Sequence, residues 1–328
     1  MNEELGILAI IVGVIHSGLR LATPFLYAAI GETFAQRSGV LNLGVEGIML
    51  MGAYSGFYVV FQTGSPFLGL LAAIMVGCFM GLIMAFVSVT LNAEQGISGI
   101  GLFLLGLGAS SLLFKITLGT VESVEGFTEL NFCPSTIGLD PALVGLESDF
   151  CLSHVPVFGE IFLKHSLLVY GAYILVPVSW WILNKTTWGL KIRAVGQNPQ
   201  AADSLGVNVT LVRYLTVIAG AALAGVAGAS LSISLVGIFQ EEMTNGQGFI
   251  AVALVYFGGW TPLGVLSGAL LFSLVNAIQI WGQVLGLNIP SYVAVMLPYL
   301  LTIIALAVPF RRALQPAALT RPFERGEN

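Results

Sequence analysis

Charge is what this chain has least of. Only 9% of its 328 residues are Asp, Glu, Lys or Arg, where a water-soluble domain carries roughly a quarter. With 56% of residues hydrophobic, too little polar side chain is left to cover a soluble fold, and a soluble enzyme is excluded at the outset. The usual catalytic signatures are missing too. None of Lys115, Lys164, Lys185 and Lys191 follows a glycine, which removes the P-loop, and neither HExxH nor GxSxG occurs. No catalytic residue is assigned, and the chain is not expected to be an enzyme or to hold a cofactor. Cysteine and histidine number three each, with no CxxC and no histidine beside a cysteine, so no metal site is expected. Cys78 lies in an apolar run and reads as packing. Cys133 and Cys151 share the one long polar segment, where a disulfide stands open if that segment faces an oxidising compartment. The opening MNEELGILAIIVGVIHSG has neither a basic leader nor a small-residue cleavage site, and reads as part of the first span. No nucleic-acid partner is expected, and the sign of the net charge of -5 matters less than where each charge sits.

What is present is apolar sequence, at residues 5–30, 43–61, 67–91, 97–118, 165–184, 211–237, 247–259, 262–284 and 290–310. A helix needs about 20 apolar residues to cross the hydrocarbon core. Lipid offers no partner to open backbone groups, and strand-like alternation is absent. The chain reads as one all-α, polytopic transmembrane bundle over residues 1–328, with about nine spans and a range of eight to ten. Two runs leave latitude in the count. Residues 247–259 are too short to cross comfortably. The first run, interrupted by His16, Arg20 and Pro24, has room for two short helices, which would turn the N-terminus inward.

Positive charge sets the orientation. Segments 185–213 and 311–328 hold Lys185, Lys191, Arg193, Arg213, Arg311, Arg312, Arg321 and Arg325, eight of the twelve Lys and Arg, and are read as cytoplasmic. Segment 119–164 carries Glu122, Glu125, Glu129, Asp140, Glu147, Asp149 and Glu160 against Lys164 alone, and is read as extracytoplasmic. For nine spans this puts the turn at Arg37 inside and the N-terminus outside. Small residues recur four apart, at Gly52 and Gly56, Gly77 and Gly81, Gly220, Ala224 and Gly228, and Gly264 and Gly268. Such spacing lets helix backbones approach and says nothing of cargo.

Two stretches interrupt the apolar sequence in ways that bear on function. In RSGVLNLGVEG, residues 37–47, small and polar residues fall where a spanning helix would break to line a cavity. Asn42 and Glu46 are its candidate path residues. Glu46 is a functional-site hypothesis by its ionisable group alone; the alternative is an anchor satisfied by Arg37 or local backbone. Asn245, Gln247 and Phe249, with Asn276 and Gln279 on the next helix, offer amides and an aromatic face to a solute, or else bind helix to helix. His16 and Arg20 share a helical face, and Arg20 is expected to snorkel or pair with Glu46 or Glu32.

The second stretch is WGLKIRAVGQNPQAADSLGVNV, residues 188–209. Asn198 as N-cap, Pro199 at the first helical position and Gly206 as terminator predict a short helix. So short a helix needs a tertiary contact, supplied by its own bundle or by a partner. The pattern RAVGQNPQAADSLGVNV strongly resembles the coupling loop of ABC-importer permeases of the ribose, nucleoside and branched-chain amino-acid group. Arg193, Gly196, Asn198, Pro199, Ala201, Ala202 and Gly206 carry the match. Residues 32–54, ETFAQRSGVLNLGVEGIMLMGAY, and 246–272, GQGFIAVALVYFGGWTPLGVLSGALLF, resemble nucleoside and simple-sugar permeases in the same order along the chain. The resemblance implies an inner-membrane transport subunit working by alternating access, with ATP and Mg used by partner ATPase subunits. It further implies a second permease subunit, related or identical, and an extracytoplasmic solute-binding protein. A nucleoside is the preferred solute and a simple sugar the alternative. An ion-coupled transporter would need intramembrane carboxylate or histidine pairs, for which Glu46 alone is thin support.

Overall fold

The computed structural model describes residues 2–130, 157–285, 296, 300 and 315–324. Among these the chain forms eleven α-helices and no strand: α1 Asn2–Arg37, α2 Val45–Thr63, α3 Pro66–Ala85, α4 Gln95–Thr117, α5 Phe158–Phe162, α6 Leu167–Lys185, α7 Thr187–Gln197, α8 Pro199–Ser204, α9 Val209–Ser230, α10 Gln247–Phe257 and α11 Pro262–Val284. Single π-helical turns, Phe86–Thr90 and Leu231–Leu235, lengthen α3 and α9. Among the described residues six helices are long and apolar enough to cross a membrane: α1, α3, α4, α6, α9 and α11. The 19-residue α2 is not among the six; Tyr54, Ser55, Tyr58 and Gln62 dilute it, and most of it is buried by its neighbours. The 290–310 run, Cys133 and Cys151 lie outside the described residues. The first apolar run is one continuous helix with Pro24 inside it, so the reading of two short helices there is corrected.

Helix α9 is the axis. Helices α1, α2 and α3 pack around it, and they do so through backbone. A β-carbon added at Gly228 would lie 1.9 Å from the Met49 carbonyl oxygen, at Gly225 2.3 Å from that of Ala73, and at Gly220 2.6 Å from that of Gly31. The small-residue spacing thus marks real contact seams, since lipid supplies no hydrophobic drive between helices and closeness of approach must replace it. On the outside, α3 presents Phe67, Leu71, Met75, Phe79, Leu82 and Phe86 as one exposed stripe, spaced at helical period.

Candidate functional site

Between α1 and α2 the chain leaves the helix for residues 38–44. Gly39 lies beside the Arg213 guanidinium, and the Met49 carbonyl touches Gly228. Arg213 and Gly228 are fifteen positions apart on α9, about 22 Å of helix. The non-helical stretch therefore climbs through the inside of the bundle. Unpaired backbone is costly there, and most donors of the break have partners. Gly39 N and Val40 N donate to the Gln36 and Ala35 carbonyls, Leu41 N to Gln95 Oε1 at 2.8 Å, and Asn42 N to Glu32 Oε1 at 3.0 Å. Gly44 N closes a turn on Asn42 Oδ1 at 2.9 Å. Glu32 also accepts from Gln36 Nε2, and Gln36 Oε1 accepts from Trp260 Nε1 at 2.8 Å. Sequence reasoning missed this role for Glu32, Gln36, Gln95 and Trp260. The available signal was an acidic residue and an amide four apart on one face of a spanning helix.

Glu46, 3% exposed, stands in the first turn of α2 and at the start of α10. Its Oε1 accepts from Thr244 Oγ1 at 2.6 Å and Gly246 N at 2.7 Å, and its Oε2 from Gly248 N at 2.5 Å. Two helix N-termini thus face one carboxylate, an arrangement that stabilises negative charge by dipole and by open amides. Gly248 is there because a β-carbon would fall 2.6 Å from Glu46 backbone atoms. Helix α10, 11 residues long, extends about 16 Å, roughly half a hydrocarbon core, and returns towards Arg37, whose Nε donates to the Trp260 carbonyl at 2.8 Å.

The structure gathers Glu46, Asn245, Gln247 and Phe249 at this junction. Asn42 is buried with its side chain spent on Gly44. Asn245 and Phe249 are exposed, and Phe249 meets Phe103 edge to face with ring centroids 5.2 Å apart. Gln247 Oε1 is buried without a donor. Asn276 is half-buried on α11, which packs chiefly on α1, and it makes no hydrogen bond to this group among the described residues. Arg20 does not reach Glu46 or Glu32; its Nη2 donates to the Ser234 and Leu235 carbonyls, each at 3.1 Å. Those carbonyls lie in the π-turn that ends α9, where a cation meets unsatisfied acceptors.

At the Arg37 end the predicted helix is α8. Asn198 Oδ1 accepts from Ala201 N at 3.0 Å, Pro199 takes the first position, and Gly206 at φ +84° ends the turn. It is preceded by a second helix, α7, where the sequence suggested a loop; Thr186 caps it by accepting from Gly189 N. Ala202 is buried with Leu183, Ile192, Val195, Val209 and Val212, while Leu205 is 85% exposed at the tip. Ala201 is exposed, and Arg193 turns back on its own helix, Nε to the Gly189 carbonyl at 3.3 Å. A β-carbon at Gly196 would lie 2.0 Å from the Arg37 carbonyl oxygen. Residues 315–324 lie across this contact as a strap: Ala318 N donates to the Gly196 carbonyl, Thr320 N to the Gly39 carbonyl, and Arg213 Nη1 to the Arg321 carbonyl.

At the opposite end residues 119–130, the described first part of the acidic segment, lie against the bundle, Val124 N donating to the Gly237 carbonyl and Leu130 N to that of His165. His16 and His165 stack with centroids 4.4 Å apart and bond the Glu160 and Ile161 carbonyls of α5. Among the described residues no three metal-ligating groups come together.

A polytopic helical bundle with a break inside it and a short capped helix displayed at one end suits a transport permease. The chain belongs to the family described as "Branched-chain amino acid transport system / permease component", which matches residues 14–306, and is a multi-pass inner-membrane permease subunit of an ABC importer. It is similar to the putative glucose ABC transporter permease protein TsgC13 of Haloferax volcanii, 41% identical over 84% of this chain and 79% of the relative. It is also similar to the guanosine ABC transporter permease protein NupQ of Bacillus subtilis, 34% identical over 96% of this chain and 97% of the relative. A third relative is the nucleoside ABC transporter permease protein NupC of Lactococcus lactis, 33% identical over 93% and 94%. No solved structure matches the chain.

Proposed function

We propose that this permease carries a nucleoside inward, driven by ATPase subunits that dock on α8 at a cytoplasmic Arg37 end. The observation that carries the reading is a continuous contact path from α8 through α7 and Gly196 to the Arg37 carbonyl and the break at 38–44, which leads to Glu46 and α10. Movement of a docked α8 has no slack to absorb it before the break, because a glycine pressed on backbone cannot give way. In this reading Asn42 and Glu46 hold the broken backbone, while Gln247 and Phe249 meet cargo. An acceptor without a donor suits a ribose hydroxyl, and an aromatic face suits a base. Two relatives named for guanosine or nucleoside, each matched over more than nine-tenths of both chains, support nucleoside over sugar. A further span over 290–310, a second permease subunit and a secreted binding protein complete the proposed assembly. Segments 119–164 and 311–328 are assigned to the outside and the cytoplasm.

Two experiments separate the parts. Deleting residues 198–206 abolishes co-purification with the ATPase while leaving the bundle folded; intact assembly overturns the coupling assignment. Uptake of a labelled purine nucleoside by vesicles holding the whole importer is blocked by excess unlabelled nucleoside and not by glucose; the reverse pattern assigns a sugar.

A further inference from the structure

A cavity of about 580 Å³ opens at the Arg37 end, walled by α1, α6, α10 and α11. Trp180, Leu183, Phe257 and Leu263 make its apolar wall, and Arg37, Asn184 and Ser267 its polar one. No carboxylate is among its described lining residues. Arg37 donates through Nε to the Trp260 carbonyl, and its two terminal nitrogens have no acceptor among the described residues. A cation facing an apolar cavity with open donors wants an anion.

The surroundings say which kind. Trp180, Trp181 and Trp188 are 38%, 58% and 47% exposed. Lys185 Nζ sits 6.0 Å from the centroid of the Trp180 ring, and Lys191 Nζ 5.2 Å from that of Trp188. Exposed tryptophans with lysines over them mark the depth where bilayer meets water, and basic pockets between spanning helices at that depth suit anionic headgroups. The cavity is also remote from the Gln247 junction, lying at the other end of α10, about 15 Å away.

We propose that this cavity binds an anionic phospholipid, its headgroup phosphate on Arg37 and its glycerol and acyl body against Trp180, Phe257 and Leu263. Bound there, the lipid bridges α1, α6 and α11 at the level where Gly196 presses on Arg37. Which leaflet supplies it rests on the orientation proposed above; the binding does not.

The test uses the complete importer in nanodiscs of phosphatidylcholine with a minor share of phosphatidylglycerol, with retained lipid counted by native mass spectrometry. Wild type retains phosphatidylglycerol in preference to phosphatidylcholine. Arg37→Gln lowers that preference about fivefold, the worth of one basic group at an anionic surface. Ser267→Trp, which fills the mouth from an exposed position and leaves Arg37 and its Trp260 bond alone, lowers it as well. Wild-type preference in both variants overturns the site. Displacement of phosphatidylglycerol by millimolar inorganic phosphate overturns the lipid assignment in favour of a free anion.

Discussion

Helices α9 and α4 are both apolar and both long enough to span, yet they are held in opposite ways. In its most apolar window α9 is 78% buried and α4 28%. Helix α9 buries Gly220, Ala221, Ala224, Gly225, Ala227, Gly228 and Ala229. Helix α4 turns Ile97, Leu104, Leu105, Leu112 and Ile116 outward, and added β-carbons at its Gly101 and Gly108 would meet nothing within 4 Å. In water, burial follows apolarity; in lipid both sides of a helix are content to be apolar, and burial follows size instead. The same substitution should therefore have very different consequences on the two helices.

Gly228→Ala is the largest break. Its new methyl must displace the Met49 carbonyl, which belongs to a helix and cannot rotate away, so a loss of about 2–3 kcal/mol is expected from overpacking, read as a lower melting temperature in detergent. Glu46→Ala comes next and tests whether polar contacts hold the centre as packing does. It leaves Thr244 Oγ1, Gly246 N and Gly248 N without their acceptor, at a cost of about 2 kcal/mol, with Glu46→Gln milder because one acceptor oxygen stays.

At the rim the expected effect is smaller and depends on pH. Burial, then the nearby charge of His16, holds the His165 imidazole below its ordinary range, while the Ile161 carbonyl and Glu129 act the other way. The unfolded chain therefore takes the proton first as pH falls. The stabilising contribution is complete above about pH 6.5 and is lost on acidification through the lower folded value. The protection of α5 amides relative to their intrinsic exchange rate at each pH should fall over that window in wild type, and His165→Gln should remove that loss of protection. Smallest of all is Gly108→Ala on α4, expected to change melting by no more than about 0.5 kcal/mol, and upward if at all, since alanine favours the helix. A cost equal to that of Gly228→Ala would refute the size argument.

Much of the fold was legible because its signals are local. Asn198, Pro199 and Gly206 delimit α8 through their own caps and dihedrals, and glycine spacing marked the seams of α9. Glu46 was singled out by its charge alone, but its partners, Thr244 to Gly248, are two hundred residues away in sequence, and no spacing rule connects them. The strap of residues 315–324 read only as a charged tail, and Arg213 as one more cytoplasmic cation. In the structure Arg213 is 1% exposed beneath that strap. Helix α7 was missed because its polar residues resemble a loop's.

What the sequence determined by itself is the material and the punctuation: a membrane-embedded helical chain, interrupted at residues 37–47 and again before the short apolar run at 247–259, with a capped helix inside the basic segment 185–213. These follow from composition and from residues that set their own backbone. Only the tertiary structure decided that the two breaks meet, because a carboxylate buried away from water needs donors, and Glu46 finds them at the open N-terminus of α10. It also decided that the capped helix, the strap and the first break form one connected unit, since each supplies backbone partners that the others lack.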